Sequence, residues 1–293
     1  MKQLRLCYLF ILFIIGSGMS SRAQTREATR PPIWGIAKMT YRISSEGLAQ
    51  EYYGDFLGFD RAFTYPSDNG MLFSYKVNDR QFLEFAVDKE AVSKPRLISV
   101  SFETENCEQM RHYLLSQQVP VPSAIRTDGA GNKVFQVHDP SGIPIEFIEF
   151  MPNSLHKKSK GKHVSPDRIS TRIHHVGLYT RTLQDEPEFY TKILGCKRIL
   201  RLPENRNEIP LILYFQLPDC AEMIEHYPSD DVNFSHPCFV AADMQEVIYT
   251  LKERKKKEKL AAPMVGKGKR WLLNLTNADG TKVEFTEAFL TTL

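Results

Sequence analysis

The stretch HHVGLYTRTLQDEPEFYTKILGCKRI (174–199) can be laid without a gap over AKMTYRISSEGLAQEYYGDFLGFDRAF (37–63). In that register Tyr190 meets Tyr53, Gly195 meets Gly58 and His175 meets Lys38. Working outward, RLISVSFETEN (96–106) and SHPCFVAADMQ (235–245) open two further segments, and setting Phe102 on Phe239 places Ser99 on His236. All four segments close alike, in FLEFAV (82–87), PIEFIEF (144–150), MIEHYP (223–228) and KVEFTE (282–287). These endings supply Glu84, Glu146, Glu225 and Glu284. Four units of roughly sixty residues account for nearly all of 34–289, and a repeat of this kind outranks local signals in assigning a fold.

Within a unit the pattern predicts a strand, a helix and three strands. HHVGLYT alternates and is rich in β-formers, while HDPSGIPIEF (138–147) and NADGTKVEF (277–285) read as hairpins through Asp/Gly turns. DEPEFYTKILG (185–195) and MQEVIYTLKERKKKEKL (244–260) carry helical spacing and good helix formers. An amphipathic helix lying on one face of a small antiparallel sheet makes an α+β unit.

His175, Glu225, His236 and Glu284 fall at equivalent places in units three and four. Imidazole with carboxylate suits a divalent ion such as Zn²⁺, Fe²⁺, Mn²⁺ or Ni²⁺. HHVGL with FYTKILGCK, HPCFVAAD, and the endings DPSGIPIEF and ADGTKVEF together resemble the vicinal oxygen chelate superfamily, which includes glyoxalases, bleomycin-resistance proteins and extradiol dioxygenases. The resemblance implies four βαβββ units paired into two glyoxalase-like domains, 34–151 and 172–290, each a curved sheet around a cavity. It also implies ligands on the first and last strand of each unit. Carried over by position, they are His175 and Glu225 from unit three and His236 and Glu284 from unit four, holding one divalent ion. Neighbouring units are expected to pair, because the two-histidine half is then self-contained.

Strand parity agrees. Side chains alternate across a sheet, so His175 shares a face with Gly177 and Tyr179 while Val176 and Leu178 point the other way. Val283 and Phe285 likewise oppose Glu284, and Cys238 shares the face of His236. Tyr179 and Cys238 are therefore expected to contact substrate. The amino-terminal half has Lys38 and Ser99 where the other half has histidines, yet it keeps Glu84 and Glu146. An ammonium and a hydroxyl are poor ligands, so no metal is expected there. Two carboxylates facing one cavity repel unless protonated or bridged, and Lys38 is placed to bridge them.

Outside the repeat, MKQLR, the apolar LCYLFILFIIG and the small-residue SGMSSRAQ predict a secretory leader over 1–23, too short for a comfortable membrane span. The expectation is an exported protein without stable membrane association after cleavage. The net charge of +3 loses Lys2, Arg5 and Arg22 with the leader and falls to about zero, which argues against a nucleic-acid partner. KERKKKEKL (252–260) mixes acids with its bases and reads as a solvated helix face. Cys107, Cys196, Cys220 and Cys238 remain, with three pairings open and free thiols equally compatible. The polar, basic segment 152–171 reads as a linker whose His156 and His163 are expected in solvent.

Three kinds of activity stay open. A glyoxalase-like lyase or isomerase holds its metal by four protein ligands. One carboxylate lets go as a base while the metal stabilises charge on a chelated, oxygen-rich small molecule. The spacings of 50 residues from His175 to Glu225 and 48 from His236 to Glu284 fit that plan, with Glu225 or Glu284 as the base. An extradiol ring-cleaving dioxygenase would use Fe(II) on His175, His236 and Glu284. The histidine and tyrosine that such enzymes add correspond here to Ala221–Glu222 and Asn274, and parity turns His226 away. A small-molecule binder without turnover is the third, with Trp34, Tyr41, Tyr179, Tyr214 and Trp271 as candidate pocket aromatics. Export argues against a glutathione thioester substrate.

Overall fold

A computed structural model describes residues 28–91, 94–181, 183, 188–205, 207–230, 235–254 and 260–287. The predicted leader lies outside these residues, as do 255–259 of the basic helical run and 288–290 of the predicted second domain. Among the described residues no helix is long and apolar enough to cross a membrane.

Each unit runs strand, helix, three strands. Unit one has β1 (Ile33–Ile43), α1 (Glu46–Ala49) continuing as a π-helical stretch (Gln50–Phe56), then β2 (Arg61–Ser67), β3 (Gly70–Lys76) and β4 (Phe82–Val87). Unit two has β5 (Leu97–Thr104), α2 (Cys107–Ser116), β6 (Arg126–Thr127), β7 (Lys133–His138) and β8 (Pro144–Glu149). The helices start where the sequence offers caps: Ser45 accepts from the Leu48 amide and Asn106 from that of Gln109. After α3 (Leu155–Lys158), unit three has β9 (Ile173–Thr180), a second π-helical stretch (Glu188–Ile193), β10 (Lys197–Leu202), β11 (Ile212–Gln216) and β12 (Met223–Pro228). Unit four has β13 (His236–Ala241), α4 (Met244–Arg254), β14 (Met264–Val265), β15 (Trp271–Thr276) and β16 (Lys282–Glu287).

Neighbouring units pair, as expected. The sheet orders are β2-β3-β4-β1-β5-β8-β7-β6 and β10-β11-β12-β9-β13-β16-β15-β14, the same arrangement twice. Register repeats as well. Thr40 sits opposite Ser99 and Glu84 as Gly177 sits opposite His236 and Glu225, and Ser101 pairs Glu146 as Cys238 pairs Glu284. Lys38 and His175 thus hold one place in the two sheets, as do Ser99 and His236.

The sheet faces opposite these polar positions form a single apolar core shared by both halves, with Val176, Leu178, Ile224, Phe239 and Phe285 all buried in it. Phe59 and Phe239 meet across the halves with ring centroids 5.1 Å apart. The aligned tyrosines cross over. Tyr53 donates to Thr281 Oγ1 at 3.0 Å and Tyr190 to Asp139 Oδ2 at 3.0 Å, so each half's helix reaches the last hairpin turn of the other. Arg96 and Asp279 add a buried ion pair at 2.9 Å.

Two expectations need correction. The segment 152–171 is not a solvated linker throughout, and His156 is only 2% exposed, with Phe63, Phe82 and Phe150 around its ring. Polarity misleads here because the polar groups are bonded internally: His156 contacts Glu84 at 3.1 Å and Asn132 at 2.9 Å, and Lys76 donates to the Lys162 carbonyl at 2.8 Å. His163 is exposed, as expected. Cys107, Cys196, Cys220 and Cys238 are all free thiols.

Candidate metal centre

His175 on β9, Glu225 on β12, His236 on β13 and Glu284 on β16 each present one donor atom, and the four atoms lie within 4.8 Å of one another. They converge because the first and last strands of each unit lie side by side at the sheet centre, where period-two alternation turns all four side chains to one face. All four are buried. Gly177 makes room for the set: a Cβ on it would come within 2.4 Å of His236 Cε1.

His175 Nε2 stands 3.4 Å from Glu225 Oε2 and 3.5 Å from Glu284 Oε1, and His236 Nε2 is 3.8 Å from Glu284 Oε2. Such contacts are long for hydrogen bonds. His175 Nε2, Glu225 Oε2 and Glu284 Oε1 are buried with no closer partner. Burial alone would lower the basicity of His175, but contacts with Glu225 and Glu284 raise its pKa to about 9. Burial pushes Glu284 upward, and His175, His236 and Lys282 together bring it down to about 2. The cluster is thus built for positive charge. Two imidazoles and two carboxylates are donor types that divalent ions take, and with their atoms gathered within 4.8 Å of one another these residues would hold one such ion.

Several groups around the donors escaped the sequence reading. His174 Nδ1 lies 2.9 Å from His175 Nδ1. Burial and then the charge of His175 hold its pKa down to about 2. A neutral His174 therefore accepts from His175 Nδ1–H, which aims Nε2 at the other donors. The only sequence signal was the His-His dipeptide, and parity placed His174 on the opposite face. Tyr214 packs edge-on to His175 at 5.5 Å and sits opposite Glu225 across β11 and β12, and Tyr227 shares the Glu225 face of β12. Tyr179 stacks on Tyr227 at 5.6 Å and lies 5.9 Å from the His236 ring. Cys238 is fully buried with its thiol against Glu284.

Of the other aromatic candidates, Tyr41 is core, while Trp34 and Trp271 are partly exposed. Tyr214 forms part of the wall of an adjoining cavity of about 390 Å³. His226 is buried on the far side, its ring 4.6 Å from Tyr190 and 5.5 Å from Phe215, turned from Glu225 as parity requires. Asn274 sits opposite Glu284 across β15 and β16.

At the matching place in the amino-terminal half, Lys38 Nζ lies 2.9 Å from Glu84 Oε2 and 3.3 Å from Glu146 Oε1. Burial opposes its charge, but the two carboxylates outweigh that and raise its pKa. Tyr65 and His156 also bond Glu84, and Ser101 Oγ donates to Glu146 at 2.8 Å. An ammonium stands where the other half gathers its donors.

No protein-family model matches the sequence, and no curated protein sequence matches it. Solved structures do match. The 2,3-dioxygenase LapB from a Pseudomonas strain aligns over 90% of this chain and 96% of its own, at 11% identity and TM-score 0.68. A Mn(II)-bound glyoxalase from Novosphingobium aromaticivorans aligns over 88% of this chain and 83% of its own, at 14% identity and TM-score 0.67. Homoprotocatechuate 2,3-dioxygenase from Brevibacterium fuscum, in complex with 3,4-dihydroxyphenylacetate, aligns over 88% and 82%, at 14% identity and TM-score 0.66. The chain therefore shares the fold of these dioxygenases and this glyoxalase, in the two-domain, four-unit form inferred from its repeats.

Proposed function

We propose that the carboxyl-terminal half binds one divalent metal ion through His175, Glu225, His236 and Glu284. On this reading the protein is a metal-dependent lyase or isomerase acting on a small, oxygen-rich substrate. Glu225 carries the proposal: it is a fourth donor, buried among the other three, with Oε2 lacking a close partner. When bound, the ion supplies Lewis acidity to substrate oxygens that chelate it. His174 orients His175, and Gly177 leaves the space that His236 occupies. Glu225, opposite Tyr214 of the cavity wall, is placed to take a proton from a substrate carbon and return it. Tyr179 and Tyr227 form an aromatic wall beside the donors.

Ring cleavage is the second reading, favoured by the likeness to two extradiol dioxygenases in layout. It would use His175, His236 and Glu284 and leave Glu225 unemployed. Glu225→Gln separates the two. Under the four-ligand reading the variant loses metal affinity and rate together, measured by metal content and turnover. A variant that keeps its metal, with catechol-dependent oxygen uptake, establishes the dioxygenase instead. Wild-type protein that stays metal-free after incubation with Zn²⁺, Mn²⁺, Fe²⁺ and Ni²⁺ leaves only a binding role.

Export is part of the proposal, supported by the basic, apolar and small-residue run of 1–23. Amino-terminal sequencing of protein recovered outside the cytoplasm tests it, with cleavage near Ala23 as the expected outcome.

A further inference from the structure

We infer that the substrate carries an anionic group distant from its chelating oxygens, bound by the turn Gly266–Arg270; this rests on reading the carboxyl-terminal cavity as the substrate site. The cavity has aliphatic walls from Leu200, Leu202, Met223 and Leu272, and Tyr214 joins it to the donor cluster. The turn, GKGKR, closes another side and brings Lys267, Lys269 and Arg270 to the lining, where Glu204 is the one carboxylate among the described residues.

The repeat supplies an internal control. In the carboxyl-terminal half Gly266 N–H donates to the Arg270 carbonyl at 2.9 Å and Lys269 N–H to the Gly266 carbonyl at 2.9 Å. In the amino-terminal half Asp128 N–H donates to the Asn132 carbonyl at 2.9 Å and Gly131 N–H to the Asp128 carbonyl at 2.9 Å. The turns are the same, but the second reads DGAGN. Gly131 takes φ 87, which glycine adopts freely, and Lys269 holds the matching place at φ 56. A lysine there is disfavoured by its Cβ, a backbone strain the counterpart avoids. Lys267, Lys269 and Arg270 stand where the other turn has Gly129, Gly131 and Asn132, and Gly266 stands where it has Asp128. In the amino-terminal half the acidic turn lies near the Lys38 ammonium. In the carboxyl-terminal half an ion would neutralise Glu225 and Glu284, leaving the basic turn to be balanced by the ligand.

Lys267 reaches inward, its Nζ 5.3 Å from the centre of the Tyr227 ring, which shares the Glu225 face of β12. Arg270 is partly committed, donating to the Glu287 carbonyl at 3.2 Å. Lys267 and Lys269 are therefore the anion-reading residues. The ligand they fit has a flat or aliphatic body between the walls, a carboxylate or like anion at the turn, and paired oxygens toward the donors.

The test compares hydrocinnamate with hydrocinnamyl alcohol, equal in body and different in charge, by calorimetric titration of the full-length, metal-loaded protein. The acid is expected to bind about tenfold tighter than the alcohol, with the margin shrinking as salt rises. In Lys267→Ala/Lys269→Gly the preference should fall below about twofold while alcohol binding is unchanged. Lys269→Gly installs the repeat's own residue, so the turn is preserved. Equal binding of the two probes, binding of neither, or a preference that survives in the double variant overturns the inference. The hydrocinnamate carboxylate could itself ligate the ion and mimic a preference of the turn, so the titrations are repeated on chelator-treated protein. A preference in protein that never takes up metal would sink the metal reading alone, and its absence in protein that does would sink this one alone.

Discussion

His236 and Gly177 face each other across β13 and β9, the imidazole so near the glycine that a Cβ there would lie 2.4 Å from Cε1. The counterpart pair is Ser99 and Thr40, where a small hydroxyl leaves room for a side chain on the facing strand. Ligand and space therefore changed together between the halves.

Gly177→Ala should consequently displace His236 and lower metal affinity at least about tenfold, since a misplaced ligand weakens binding as loss of supporting groups does. Calorimetric metal titration with a folding control by circular dichroism reads the effect. Unchanged affinity would mean that His236 is not a ligand.

Metal loading should stabilise the fold. Ligand that binds only the native state adds RT ln(1 + [L]/Kd), about 4 kcal/mol at a thousandfold excess over Kd. The chelator-treated protein is expected to melt several degrees lower than the reloaded one, by about 2–4 °C per kcal/mol for a chain of this size or somewhat less. Identical melting of the two forms would count against the centre.

Lys38→Ala leaves Glu84 and Glu146 facing one another without the ammonium 2.9 and 3.3 Å away. Removing one partner of a buried charge group costs about 3–5 kcal/mol, so denaturant unfolding should show a loss of that order. Adding Glu84→Gln to Lys38→Ala should recover part of it. Metal affinity in the other half should not change.

Asp139 answers to pH. Burial pushes its pKa up to about 6 against hydrogen bonds from Ile143, Tyr190 and Ser141 that pull it down. A raised folded-state pKa means that the acid favours the fold most when protonated. Its contribution is full below about pH 4 and is lost as pH rises through the folded value, up to about 3 kcal/mol in total. Asn277 holds the same place in the fourth unit, its amide donating to the Thr281 carbonyl at 2.8 Å as Asp139 donates to Ile143 at 3.0 Å. Asp139→Asn should therefore raise stability at pH 7 and flatten the pH 4–6 slope, as followed by thermal melts. A variant less stable than wild type at pH 7 would show that the charged carboxylate is the favoured form.

Much of this was legible before any coordinates. Lys38, Ser99, Glu84 and Glu146 could be matched to His175, His236, Glu225 and Glu284 by hand, and the sheet register repeats those matches. His156 was misread because a basic, proline-bounded segment looks solvated unless its buried hydrogen-bond partners are known. Tyr227, two residues from Glu225 on β12, shares its face and was simply not weighed, whereas His174 was passed over because parity describes an ideal strand. Side chains at a curved sheet's centre can bend around it to touch neighbours on the nominally opposite face.

What the sequence determined by itself is the repeat, and with it which residues share a strand position and a face, because period-two alternation and ungapped alignment are local properties. What only the tertiary structure decided is distance: that four donors gather within 4.8 Å, that Lys38 fits between two carboxylates, and that a basic turn rims a cavity. Those outcomes depend on how far each sheet curls and which strands lie at its centre. Contacts between residues far apart in the chain set that curvature, and no single segment encodes it.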